Sequence, residues 1–218
     1  MKIIPFIIVL TLGFTNQAWG AAQPKLTHFI EEPPAMEPIP GWQGAWHWNK
    51  PGVNFKSYDR ALLTHIEIFI APDSEYKGID ADQMKILSDS MRAVMTDALE
   101  PGTPVVSKAG PGVIILRLAI TNVHLGKPKH QLGQYTPIGL AVSGIKNLAG
   151  KSRNLSLRDA SVEAEFFDPQ TGERLAVRID TKPLRSMSDE SEEMSWETIE
   201  ESLKVYGNLF RERGNLFR

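Results

Sequence analysis

Cysteine is absent from all 218 residues. Disulfides, thiolate metal sites, cysteine nucleophiles and lipid-modified cysteines are therefore excluded. Charge of one sign is not in excess: the formal net charge is -2, so no global basic surplus points to nucleic acid. The N-terminal apolar run, Ile3 to Phe14, is twelve residues long and falls short of the ~20 that span a bilayer as a helix. Local catalytic signatures are missing too. There is no His-Glu-x-x-His helix motif, no G-x-S-x-G elbow, no P-loop and no G-x-G-x-x-G turn. His65 shares a strand face with Glu67, and His124 with Asn122, but such pairs are too common to mark a metal site. No catalytic residue, metal site or cofactor is assigned, and the chain reads as a non-enzyme.

Residues 1–20 have the form of an export signal. Lys2 supplies a positive start, the apolar run follows, and Ala18-Trp19-Gly20 places small residues two apart ahead of Ala21. Cleavage after Gly20 and release to the periplasm are expected, with a retained N-terminal anchor as the alternative. Residues 21–57 then read as an irregular Pro/Trp-rich arm. Pro24, Pro33, Pro34, Pro38, Pro40 and Pro51 interrupt helix and central-strand pairing. Trp46 and Trp48, two apart, would point to one side of an extended chain. They either dock the arm onto the domain or form an aromatic contact patch for a carbohydrate or a partner.

Residues 58–212 read as a single α+β domain, with 213–218 as a tail. A strand over 61–71 should place Leu62, Ile66, Ile68 and Ile70 on one face. A helix capped at Asp80 follows, with Met84, Leu87, Met91, Val94, Met95 and Ala98 at helical spacing. Gly112–Leu125 is a long strand whose core face is Ile114, Leu116, Leu118 and Ile120. Val105–Ser107 is a candidate short extra strand. Ala160, Val162, Ala164 and Phe166 alternate, as do Leu175, Val177 and Ile179, around the turn "DPQTGE". Pairing Phe166 with Leu175 would set Glu163 opposite Arg178, and Glu165 diagonal to Arg174 and Arg178. A last helix, Glu190–Phe210, carries Trp196, Ile199, Leu203, Tyr206 and Phe210 on one stripe, with Gly207 as a local cost. The simplest packing is one mostly antiparallel sheet with both helices on one face.

The near-neutral total hides a segregation of charge. Residues 21–100 carry net -5, residues 101–158 net +8 with no acid, and residues 159–201 net -9. Inside the basic segment lies a Gly-rich insertion, 126–154, longer than ordinary connections. Its Lys127, Lys129, Lys151 and Arg153 flank the apolar stretch "YTPIGLAVSGIKNLAG", in which Lys146 is the only charge. With Trp46 and Trp48 they make the candidate contact surface, for an envelope protein or an anionic membrane surface. The competing reading folds the insertion back onto the acidic segment.

Three segments together carry a resemblance: "WHWNKPGVNFKSYDRALLTHIEIF", "GVIILRLAITNV" with "PIGLAV" downstream, and "ASVEAEFFDPQTGERLA" before a Trp-containing helix. The chain resembles the domain-of-unknown-function 3313 family of Gram-negative bacterial envelope proteins over about Gly41 to Phe210. Members are often lipoproteins; this chain departs in having no cysteine after the signal. The resemblance implies an envelope location and no catalytic residues. The expected function is a non-enzymatic periplasmic or envelope protein that binds a partner or supports an envelope assembly. The alternative is a small-ligand or glycan-binding module, with or without enzymatic activity, built on Trp46, Trp48 and His65. A convergent pocket at those residues would favour the module, and a flat sheet face the partner-binding protein.

Overall fold

A computed structural model describes residues 24, 27, 29–78, 81–100, 102–125, 157–183 and 196–214. In chain order the elements are β1 (Glu37–Pro38), β2 (Ala45–Asn49), β3 (Arg60–Ile70), α1 (Ala81–Leu99), β4 (Val113–Leu125), β5 (Leu157–Phe167), β6 (Arg174–Asp180) and α2 (Trp196–Leu209). A short 3-10 turn, Phe55–Ser57, leads into β3, and a π turn, Phe210–Gly214, extends α2. The strands form one six-stranded sheet in the order β1-β2-β6-β5-β4-β3. β3 and β4 run parallel and the other neighbours antiparallel. A parallel pair needs a crossover connection, and α1 supplies it. The class is the expected α+β, with a mostly antiparallel sheet.

Both helices lie on one face. Ile114, Leu116, Leu118 and Ile120 of β4, with Val162, Ala164 and Phe166 of β5, pack under Leu87, Met91 and Met95 of α1 and Ile199, Leu203 and Tyr206 of α2. The methionine stripe of α1 is thus core. Gly207 has a specific role here. A Cβ at that position would lie 2.5 Å from Val94 Cγ1 and 3.3 Å from the Val94 carbonyl oxygen, so the glycine sets how closely α2 approaches α1. The hairpin turn also forms as read. Asp168 N–H donates to Glu173 O, and Gly172, at φ +70, donates to Asp168 O (both 2.9 Å). Asp80 and the side chain of Trp196, singled out in the sequence, lie outside the described residues.

Three irregularities in the pairing correct the expected faces. In β3 the register slips between Leu63 and Ile66, so two residues, Thr64 and His65, stand against one on β4. A bulge reverses side-chain parity. Ala61 and Leu63, not Leu62, are therefore buried with Ile66 in the helix-side core. α1 seals this bulge: Arg92 Nη2 donates to the carbonyls of Leu63 (3.1 Å) and Thr64 (2.6 Å). In β4 a second slip, between Thr121 and His124, coincides with Asn122 at φ +50 and turns Val123 and Leu125 toward the helices. In the hairpin, Phe166 pairs with Ala176 and Phe167 with Arg174, leaving Leu175 as the extra residue. Leu175 stays in the helix-side core while Val177 and Ile179 go to the other face. Glu163 accordingly faces Ile179 rather than Arg178. The cause is legible after the fact: Leu175, Ala176, Val177 and Ile179 are apolar at both parities, so no single alternation was dictated.

The arm is also corrected. Between Pro40 and Pro51 the proline-free run Ala45–Asn49 forms β2 and pairs with β6, and Pro38 sits in the edge strand β1, where a missing N–H is tolerated. Val105 makes an isolated parallel bridge to Ala61 rather than a strand.

Candidate functional site on the helix-free sheet face

The second sheet face has no helix over it among the described residues. It carries a ladder of alternating charge, one residue from each of four neighbouring strands: Glu67 on β3, Arg117 on β4, Glu165 on β5 and Arg174 on β6. Arg117 Nη1 is 3.1 Å from Glu165 Oε2, and its Nη2 is 3.7 Å from Glu67 Oε1. On the other side Arg174 Nε lies 2.8 Å from Glu165 Oε1, close but not aligned as a hydrogen bond. Glu165 is 1% exposed. Burial pushes its carboxyl above the usual carboxylate range, against the pull of the Arg174 and Arg117 guanidinium groups. Glu163, two residues earlier on the same face, is fully buried. Its Oε1 accepts from the Thr121 hydroxyl at 2.8 Å, whereas its Oε2 has no hydrogen-bond partner among the described residues.

An N-terminal strap crosses this ladder. Phe29, Ile30 and Met36 are buried against Ala119, Val177 and Ile179, with Trp46, Trp48 and Phe69 packed at the margin. Thr27 donates to Glu163 Oε1 from its hydroxyl (2.9 Å) and its N–H (3.3 Å). Arg174 Nη2 and Nη1 donate to the carbonyls of Glu31 (2.7 Å) and Glu32 (3.1 Å). The Arg117 guanidinium carbon sits 4.9 Å from the Phe29 ring centroid and 5.9 Å from that of Phe167, an aromatic bracket around a cation. Beside the strap, a cavity of about 320 Å³ opens between Phe29, Glu67, Phe69, Arg117, Glu165 and Arg174.

Of the residues singled out in the sequence, Trp46 and Trp48 lie together on β2, half-buried on this helix-free face. His65 is exposed on β3, at the other end of the sheet. Three strands separate β2 from β3, which at ~4.8 Å per strand step puts them about 19 Å apart. The tryptophans and His65 therefore do not converge. Lys127, Lys129, Lys146, Lys151 and Arg153 lie outside the described residues. Among the described residues, no group of three His, Asp or Glu side chains is placed to hold a metal ion, and no helix is long and apolar enough to cross a membrane. His124 instead contacts Asp73 (3.1 Å) and the Asn122 carbonyl (2.8 Å). Sequence reasoning linked Glu165 to Arg174 but missed Glu67 and Arg117 as members of the ladder. The available signal was Arg117 itself, a lone charge inside the apolar strand "VIILRLAI".

The helix side of the sheet has its own buried cation. Arg178, 8% exposed, donates from Nη1 to the carbonyls of Val177 (2.7 Å) and Trp48 (3.2 Å). Burial lowers it to about 10. Nearby, the Trp42 indole N–H donates to Asp180 Oδ2 at 2.9 Å, and its ring packs 5.9 Å from that of Tyr206. These contacts hold the β1–β2 segment to the domain.

The profile of the family described as protein of unknown function (DUF3313) matches residues 30–207. An uncharacterized lipoprotein of Escherichia coli, YdcL, is 26% identical over 154 residues, covering 71% of this chain and 68% of its own. Two solved structures are similar at lower levels. A DUF4136 family protein from Bacteroides thetaiotaomicron gives a TM-score of 0.38 at 13% identity, over 77% of this chain and 94% of that one. A PelC dodecamer from Paraburkholderia phytofirmans gives 0.34 at 9% identity, over 78% and 95%.

Proposed function

The chain belongs to the DUF3313 family, and from that premise we propose that it is a non-enzymatic protein of the bacterial envelope that presents its helix-free sheet face to a partner. The observation that carries this reading is the separation of Trp46 and Trp48 from His65 by three strands. A glycan- or ligand-binding pocket built on those three residues has no common centre. A broad sheet face with half-buried tryptophans at one end suits a protein partner better, since aromatic side chains are enriched at such interfaces. The export signal at residues 1–20 and the lipoprotein relative support an envelope location. With no cysteine in the sequence, a soluble periplasmic product starting at Ala21 is the form we propose. Mass spectrometry of the native protein tests that form, and an N-terminus at Met1 overturns it.

The partner is tested by placing a photo-crosslinking residue at Trp46 or Trp48 in the full chain, in the cells that make it. A discrete adduct from these positions, absent when the same residue replaces exposed Lys85 on α1, is the expected result. The same adduct pattern from all three positions, or none from any, overturns the reading.

A further inference from the structure

The strap over the helix-free face is not one of the six strands of the sheet. It is held by three apolar side chains, by Thr27 on Glu163, and by Arg174 reaching two of its carbonyls. That is how a protein grips an extended peptide: pockets for side chains and an arginine fork for main-chain oxygens. The strap also fits imperfectly. Glu32 is held at φ +48, left-handed backbone that a non-glycine residue adopts at a cost, immediately before Pro33 and Pro34. Beneath the strap, Glu163 Oε2 is buried with no hydrogen-bond partner among the described residues. A buried carboxylate oxygen left unpaired is unfavourable, and an occupant bringing one more donor would remove that penalty.

We propose that the helix-free face is a peptide-binding face, occupied in cis by residues 27–36, and that the partner is an extended polypeptide segment that exchanges for the strap. The segment carries an aromatic–aliphatic pair in the places of Phe29 and Ile30. At the position of Thr27 it carries a basic residue, whose ammonium or guanidinium group can serve both oxygens of Glu163. Arg174 reads its main chain and so sets no side-chain preference there. This inference names the partner chemistry of the face proposed above and rests on that reading.

The test uses the mature chain, 21–218, and a fluorescein-labelled peptide with the sequence of residues 24–36. The peptide should bind saturably by fluorescence anisotropy. Phe29→Ala in the protein should tighten binding about tenfold, because it raises the fraction of chains with the strap displaced. Phe29→Ala in the peptide should weaken it. A Thr27→Lys peptide should bind several-fold more tightly than the parent, through Glu163. No saturable binding to the Phe29→Ala protein, with native near-ultraviolet circular dichroism, overturns the proposal. So does hydrogen exchange of the strap amides as slow as that of β4, which needs no variant. Crosslinking from Trp46 without peptide exchange would leave the partner reading standing and remove this one.

Discussion

On one side of the sheet, β4 presents Ile114, Leu116, Leu118 and Ile120 to two helices; on the other, the same strand presents Arg117, Ala119 and Thr121 to a strap. Both sides hold buried residues, but by different physics. The helix side is closed by apolar contacts, which are non-directional and summed over many atoms. The strap side encloses Glu163 and Glu165, whose burial requires specific partners. Arg117, Arg174, Thr121 and Thr27 supply them, and among the described residues Glu163 Oε2 has neither a hydrogen bond nor an ion pair. A side closed by apolar contacts serves stability. A side closed by one thin segment over charged groups can be uncovered without unfolding the rest.

The widest gap between the two sides is expected for matched phenylalanines. Phe166→Ala, at the centre of the helix-side core, should destabilise by about 3–5 kcal/mol in chemical denaturation. Gly207→Ala should cost about 1–3 kcal/mol, although alanine is the better helix former, because its Cβ would meet Val94. A stabilised variant would show that the two helices can move apart freely. Phe29→Ala should cost less than Phe166→Ala, about 1–2 kcal/mol. Its loss is limited by the local stability of the strap. Equal effects for Phe29 and Phe166 in the same titration would erase the distinction between the sides.

The smallest effect is on pH dependence. Glu165 holds its proton above the ordinary value of 4.5 in the folded chain, chiefly through burial. The unfolded chain then binds fewer protons in the window between 4.5 and that raised value. Stability contributed by this group should therefore fall as pH rises through the window and return on acidification, with a slope below about 1.4 kcal/mol per pH unit. Glu165→Gln should flatten the slope while losing the pairs to Arg117 and Arg174. Denaturation midpoints measured across the window check the sign, and a slope of the opposite sign would place Glu165 under the control of its arginines instead.

Much of this architecture was legible in the residues. Alternation alone identified the core faces of β4 and β5, and 3.6-residue spacing identified both helices and their apolar stripes. The prolines of the arm misled, because Pro40 and Pro51 bound a strand rather than forbid one. The faces of β3 and β6 could not be read because bulges at Thr64–His65 and Leu175 change parity midway. Nothing local marks those bulges. The carbonyls freed at the first are satisfied by Arg92, 28 residues away from Thr64.

What the sequence by itself determined is the class, the two helices, the order of elements from β3 to α2 and the absence of cysteine chemistry, because periodicity and composition are local properties. The tertiary structure alone decided which charges meet. Glu67, Arg117, Glu165 and Arg174 come from four strands spread over more than a hundred residues, and only sheet register brings them into line. It also decided that residues 27–36 lie over that line, since a contact between Thr27 and Glu163 spans 136 positions and has no local signature. Gly207 shows the same division at a single residue. In the sequence it is a weak point in a helix, and in the fold it is the place where a second helix needs the room.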